Sequence, residues 1–257
     1  MLLLSTSSLK GYGLHRKFVF AKKAGYDGID LVLEKGDFDS WNKEYVRSLS
    51  ESFAMPVLSV TAPNRGITKK VVDEIIDLAV SIKAQNITFS PPHITDKNSG
   101  WFTTYIGKAS RDNHIVITVQ NVAPKFLLFV IPEYRSNNLL DIKKVTGFTS
   151  LNLSNIESSA GMDIMKAQNI LGNTIKNIYL SDRRGPKMGL LPGNAGGGIS
   201  TLPLESFFMK MRTSGYGGYF SLKVNPKELS VGDDKEVIKK LADVKDYYRK
   251  HFLNFKS

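Results

Sequence analysis

Short apolar runs rich in β-branched residues alternate along the chain with stretches of helical periodicity. The runs are Leu2–Ser5, Gly28–Leu33, Val57–Thr61, Asn86–Ser90, His114–Gln120, Thr149–Ser154, Ile175–Ser181 and Tyr219–Val224. Between them, helical patterns cover His15–Ala24, Ser40–Phe53, Thr68–Lys83, Gly161–Leu171, Leu204–Thr213 and Lys235–Tyr248. In the third of these, Val71, Val72, Ile75, Ile76 and Ala79 fall on one face and Lys69, Lys70, Asp73, Glu74 and Asp77 elsewhere, as a helix lying on a sheet requires. Eight strands in series with helical connections predict right-handed βαβ units and a parallel sheet. Eight such units in 257 residues match an α/β fold, a single (β/α)8 TIM barrel, covering 1–257 as one domain. An open doubly wound sheet is the alternative arrangement of the same units. The stretch from Asp182 to Tyr219 is the one large irregularity and has to hold a long loop as well as a helix.

Strands of a parallel barrel are buried on both faces and should be almost continuously apolar. The second half of the chain departs from this with one parity. Thr118 and Gln120, Asn152 and Ser154, Tyr179 and Ser181, and Ser221, Lys223 and Asn225 each stand two residues apart, so each set shares a face near the end of its strand. Four neighbouring strands doing this would line a pocket at the C-terminal mouth, where barrel active sites lie. The alternative is a core in which these groups satisfy one another. After the seventh strand, Arg183, Arg184 and Lys187 precede a glycine-rich segment, Gly193–Gly198, which suits either an anion site or a lid. His93 is the one histidine placed to reach the mouth. His15, His114 and His251 are expected to be structural or exposed.

Composition narrows the chemistry. The absence of cysteine excludes disulfides, a thiolate nucleophile and Cys-ligated zinc or iron–sulfur centres. Thirty-five Lys and Arg against 24 Asp and Glu give a formal charge of +11, which favours anionic partners or simply solvates the surface. No GxxxxGK[ST] and no GxGxxG after a strand is present, so the usual nucleotide cradles are absent. The apolar start, Met1–Leu4, is too short for a signal peptide or a spanning helix, so a cytoplasmic protein without membrane contact is expected. Homo-oligomerisation is left open.

Gly25–Leu31, Gln120–Val122, Asn152–Asn155, Tyr179–Asp182 and Gly215–Val224 resemble, in order, strand signatures of the xylose isomerase-like superfamily of sugar (phosphate) isomerases and epimerases, which also includes apurinic-site endonucleases. The resemblance spans the chain and implies a divalent-metal site drawing on Glu from strand five, Asp and, three residues later, His from strand six, His from strand seven and Glu from strand eight. Here those places carry Gln120, Asn152 with Asn155, Tyr179 and Lys223. Neutral amides and a phenol are poor ligands, and an ammonium cannot bind a cation. A metal-free barrel without cofactor is therefore expected, with Lys223 supplying part of the missing positive charge.

The leading reading is a binder of a small sugar or sugar-phosphate anion. Gln120, Asn152, Asn155, Tyr179 and His93 would meet hydroxyls, and Lys223, Arg183 and Lys187, beside Asp182, would hold the anion. Glu34 or Asp182 is expected within reach of Lys223. The alternative is a metal-independent isomerase or epimerase with Glu34 as base and Lys223 stabilising an enolate. A Lys223 Schiff-base lyase and an endonuclease acting on nucleic acid are the remaining readings, the last weakened by the missing metal ligands.

Overall fold

In the computed structural model eight parallel strands close into a barrel: β1 (Leu2–Ser5), β2 (Gly28–Val32), β3 (Val57–Thr61), β4 (Asn86–Phe89), β5 (Val116–Gln120), β6 (Thr149–Asn152), β7 (Ile175–Leu180) and β8 (Tyr219–Leu222). The structure describes residues 1–96, 99–113, 115–124, 126–128, 130–136, 138–156, 161–193 and 202–254. His114 and most of the glycine-rich segment, 194–198, lie outside the described residues. Closure is carried by β1 and β8, with Leu3 paired to Ser221. The open doubly wound alternative is thereby excluded. None of the described helices is long and apolar enough to cross a membrane.

Helices α1 (Leu14–Lys23), α2 (Phe38–Trp41), α3 (Lys43–Ser52), α4 (Lys69–Ser81), α5 (Phe102–Asp112), α6 (Leu139–Thr146), α7 (Ile164–Leu171), α8 (Leu204–Thr213) and α9 (Asp234–Tyr248) surround it. The periodicity of Ser40–Phe53 reads as one helix, but the chain breaks at Asn42, whose side chain accepts from the Tyr45 N–H and caps α3 instead. Thr68 caps α4 in the same way, and Val72, Ile75, Ile76 and Ala79 are buried against the sheet as the pattern predicts. The Asp182–Tyr219 irregularity holds α8 and an antiparallel ribbon, Asp182–Arg184 with Lys187–Leu190, which turns at Gly185 (φ 55°) and Pro186.

The barrel interior is polar around its whole circumference, not only in the second half. Asp30, Ser59, Thr61, Asn86 and Thr88 on β2 to β4 are as buried as Thr118, Ser150, Asn177 and Ser221 on β5 to β8. The alternate residues, such as Ile29, Leu31, Val60, Ile87, Val119, Ile178 and Leu222, form the apolar core between sheet and helices. Short hydroxylated side chains fill the narrow interior and bond one another. Thr88 lies 3.0 Å from Thr118 and 2.9 Å from Ser150, Thr118 lies 2.7 Å from Ser150, and the Asn86 amide bonds Ser59 at 3.1 Å. Pairing of this kind offsets the several kcal/mol that unpaired buried hydroxyls would cost.

Gly28 starts β2 where the strands crowd. A Cβ there would lie 2.7 Å from the Pro56 carbonyl oxygen and 3.2 Å from Leu3 and Leu58 side-chain carbons. Gly28→Ala is therefore expected to destabilise by about 1–3 kcal/mol through overpacking against backbone. Urea denaturation reads this directly, and an unchanged midpoint would show that β2 shifts without cost.

Candidate functional site

Above the hydroxyl layer a directed chain of groups crosses the barrel towards its C-terminal mouth. The Thr61 hydroxyl donates to Asp30 Oδ1 at 2.9 Å and stands 2.6 Å from the Tyr179 hydroxyl. A carboxylate only accepts, so with Asp30 ionised Thr61 spends its one proton on it and Tyr179 donates to Thr61. Asp30 Oδ2 is buried without a hydrogen-bond partner among the described residues. Burial pushes the Asp30 pKa up, opposed by the Lys223 charge and by the hydroxyls of Ser5, Ser59 and Thr61. Burial, and then the Asp30 charge, hold the Tyr179 phenol well above its ordinary pKa, so it stays a neutral donor.

Lys223 stands two residues beyond Ser221 on the inward face of β8, and Ser221 is paired in register with Tyr179. Its ammonium lies 4.3 Å from the centroid of the Tyr179 ring, a cation–π contact. The surrounding backbone is fixed from three directions. The Lys223 N–H donates to the Leu180 carbonyl, the Val224 N–H donates to the Ser8 hydroxyl, and that hydroxyl donates to the Leu222 carbonyl. Burial pulls the Lys223 pKa down, and the charge of Asp30 opposes this. Among the described residues the ammonium has no hydrogen-bond acceptor and no ion pair within 4.0 Å. A partly buried cation with three unused donors at a barrel mouth is suited to an incoming anion.

The remaining predicted residues separate into those beside this centre and those elsewhere. The Gln120 amide donates to Ser90 at 2.9 Å, and its Oε1 is buried without a partner among the described residues. Asn152 accepts from Ser154 through Oδ1 and is nearly buried. The Asn155 amide donates to the Asn121 carbonyl at 3.1 Å, so this side chain ties two loops together. Asp182 is buried and accepts the N–H groups of Arg183 and Leu202. Arg183 donates to the carbonyls of Gly185, Ser154 and Ile156, which clamps the ribbon to the end of β6. Lys187 is exposed on the ribbon.

His93 is buried between Thr95 (2.6 Å) and Glu133 (3.3 Å), and Glu133 also accepts from Arg65 at 2.7 Å. Glu34 is partly exposed and bonded to Lys10 at 3.0 Å, in a rim cavity that Lys223 does not line. The carboxylate whose charge acts on Lys223 is thus Asp30, where Glu34 or Asp182 was expected.

Asp30, Thr61 and Asn121 are the residues that sequence reasoning passed over. Asn121 donates to the Asn152 carbonyl and accepts the Asn152 N–H, and so joins the ends of β5 and β6. Asp30 carried a readable signal, a single acidic residue inside the apolar run Gly28–Val32.

The divalent metal that the sequence resemblance implies has to be held by these donors. Among the described residues, no group of three or more His, Asp or Glu is placed to hold a metal ion. Gln120 offers one free amide oxygen, the Tyr179 hydroxyl is committed to Thr61, and the Lys223 ammonium lies over the Tyr179 ring. A divalent cation there would be repelled by that ammonium, so this donor set does not fit one.

No family model matches the chain. A protein of Mycobacterium tuberculosis described as uncharacterised is 23% identical over 97% of both chains, and one of Mycobacterium leprae is 28% identical over 47% of this chain and 46% of its own. Among solved structures, a xylose isomerase domain protein of Alicyclobacillus acidocaldarius superposes with a TM-score of 0.72 at 13% identity, covering 98% of this chain and 99% of that one. D-psicose 3-epimerase of Clostridium cellulolyticum, solved with D-tagatose, gives 0.71 at 10% identity over 97% and 98%. A xylose isomerase domain containing protein of Salmonella typhimurium gives 0.70 at 14% over 96% of each chain. The chain has the fold of the xylose isomerase-like TIM-barrel proteins and epimerases.

Proposed function

We propose that this protein binds a small sugar-derived anion, such as a sugar phosphate, at the C-terminal mouth of its barrel without a divalent metal. The observation that carries this reading is Lys223, an ammonium lodged on the Tyr179 ring with no acceptor among the described residues and Asp30 as its compensating charge. Gln120 Oε1 and the Asn152 amide offer hydrogen bonds to hydroxyls, and Arg183 and Lys187 add positive field from the ribbon. The fold is shared with an epimerase solved with a ketohexose, which supports a sugar framework for the ligand.

The test is a calorimetric titration of metal-depleted protein with a ketohexose 6-phosphate and with its parent ketohexose. The phosphate ester is expected to bind at least about tenfold more tightly, the worth of one charge-assisted hydrogen bond. Equal affinity, or no binding of either, would remove the anion from the account.

The epimerase-like fold also favours a second reading, isomerisation or epimerisation by proton transfer. Glu34 is bonded to Lys10, so within the barrel Asp30 is the carboxylate in electrostatic reach of Lys223 for that step. Incorporation of solvent deuterium at carbon during incubation in D2O supports an enzyme. Its absence across bound sugars leaves a binder.

A further inference from the structure

We propose that the cavity between the loops following β1 and β2 is a second binding site, for a small hydroxylated carboxylate or phosphate ester whose anionic group rests on the N-terminus of α1 and the Lys17 ammonium. The cavity measures about 340 Å³, enough for a molecule of three to six carbons, and is separate from the Lys223 centre.

Three observations converge on it. Lys17 occupies the apolar face of α1, in the series Leu14, Lys17, Phe18, Ala21, and is 92% buried. It lines the cavity, yet among the described residues its ammonium makes no hydrogen bond and no ion pair. Burial lowers its pKa despite the fields of Asp37, Glu34 and Asp39, as befits a cation that still lacks a direct partner.

The helix start is the second observation. Gly13 provides no side-chain cap for α1, and the first turn holds no acidic residue. The first helical bonds run from Arg16 and Lys17 to the Gly13 carbonyl, which leaves the Leu14 and His15 N–H groups as donors beyond the helix. Nothing in the backbone demands glycine at this place. Its φ is −63°, and an added Cβ would meet nothing within 4 Å. A capping Ser or Asp would fit, and its absence keeps the donors free.

Thirdly, the same cavity is lined by carboxylates. Glu34 is already bonded to Lys10, whereas Asp37 and Asp39 remain as acceptors for hydroxyl groups of the same ligand. An anion without hydroxyls would meet those carboxylates as repulsion alone.

The experiment follows the Leu14 and His15 backbone amides by ¹H–¹⁵N NMR during titration with D-glycerate, glycerol 3-phosphate and propionate. Both hydroxylated anions are expected to shift these amides saturably, the tighter of the two deciding between carboxylate and phosphate, with propionate at least about fivefold weaker. Lys17→Met should raise the apparent Kd at least about tenfold, Gly13→Asp should abolish the response by capping the helix, and Lys223→Met should leave it unchanged. Lys17→Met replaces a buried cation by an apolar chain of similar length, so it is expected to fold, and Gly13→Asp gives a second, independent arm. The second site is overturned if neither amide moves, or if both variants respond like the parent protein. Loss of the response in Lys223→Met would place the ligand at the barrel mouth and overturn the second site, and equal propionate binding would overturn the role of Asp37 and Asp39.

Discussion

Replacing Asp30 with asparagine is expected to raise the unfolding free energy by about 1 kcal/mol near neutral pH, because burial holds the Asp30 carboxyl above its ordinary range even against the Lys223 charge, so its ionised form costs stability on balance. The amide oxygen of asparagine can still accept from Thr61, so the change isolates charge from hydrogen bonding. The difference should depend on pH in a defined way. Lys223 is held below its ordinary value of 10.5, so its penalty is full below the folded pKa and disappears as pH rises towards 10.5. Without Asp30 the folded value drops further, which takes back part of the gain. On the acid side Asp30, raised above its ordinary 3.8, takes a proton in the parent protein and becomes as neutral as asparagine. The gain from asparagine therefore vanishes below the Asp30 pKa, is partial while Lys223 is charged, and is largest once Lys223 is neutral. Urea denaturation at about pH 4, 7 and 10 reads this profile, and an equal difference at pH 7 and 10 would show that Asp30 and Lys223 do not interact.

Lys223→Met is expected to cost the mouth its anion affinity by about tenfold to a hundredfold, the worth of a charge-assisted hydrogen bond in a partly buried site. Methionine retains much of the packing over the Tyr179 ring and removes only the charge. The fold should survive, since Asp30 is already displaced towards its protonated form and can become neutral where it stands. Binding of a sugar phosphate would fall while binding of the parent sugar, which relies on Gln120 and Asn152, would change little. An undiminished affinity for the phosphate ester would take Lys223 out of the site.

The eight strands were legible because each is a short β-rich run ended by a turn, and the strongest helices because their apolar face repeats cleanly. α5 and α6 escaped for physical reasons. α5 buries Phe102, Ile106 and Ala109, but Thr103, Thr104, Gly107 and Ser110 dilute its helical signal. α6 has eight residues, too few to establish a period, although Asn138 caps one end and Gly147, at φ 77°, closes the other. The polar parity of β5 to β8 pointed to the mouth, yet the same pattern on β2 to β4 passed unread, since serine and threonine are also ordinary strand residues. Pairings across the barrel are the least legible part. Glu34 looked well placed at the end of β2, but its neighbour Lys10 comes from a loop 24 residues earlier, whereas Asp30 meets the field of Lys223 from nearly across the chain. Such partners are set by register and closure, which no local pattern encodes.

Central to the account is that an ammonium, not a divalent cation, supplies the positive charge at the mouth. The most direct measurement is the affinity of the unaltered protein for a ketohexose 6-phosphate after exhaustive chelation and again with added Mn²⁺, together with the metal content of each sample. The Kd is expected to agree within about twofold between the two conditions, with no stoichiometric metal retained after dialysis. Binding that vanishes on chelation and returns with about one equivalent of Mn²⁺ per chain would contradict it.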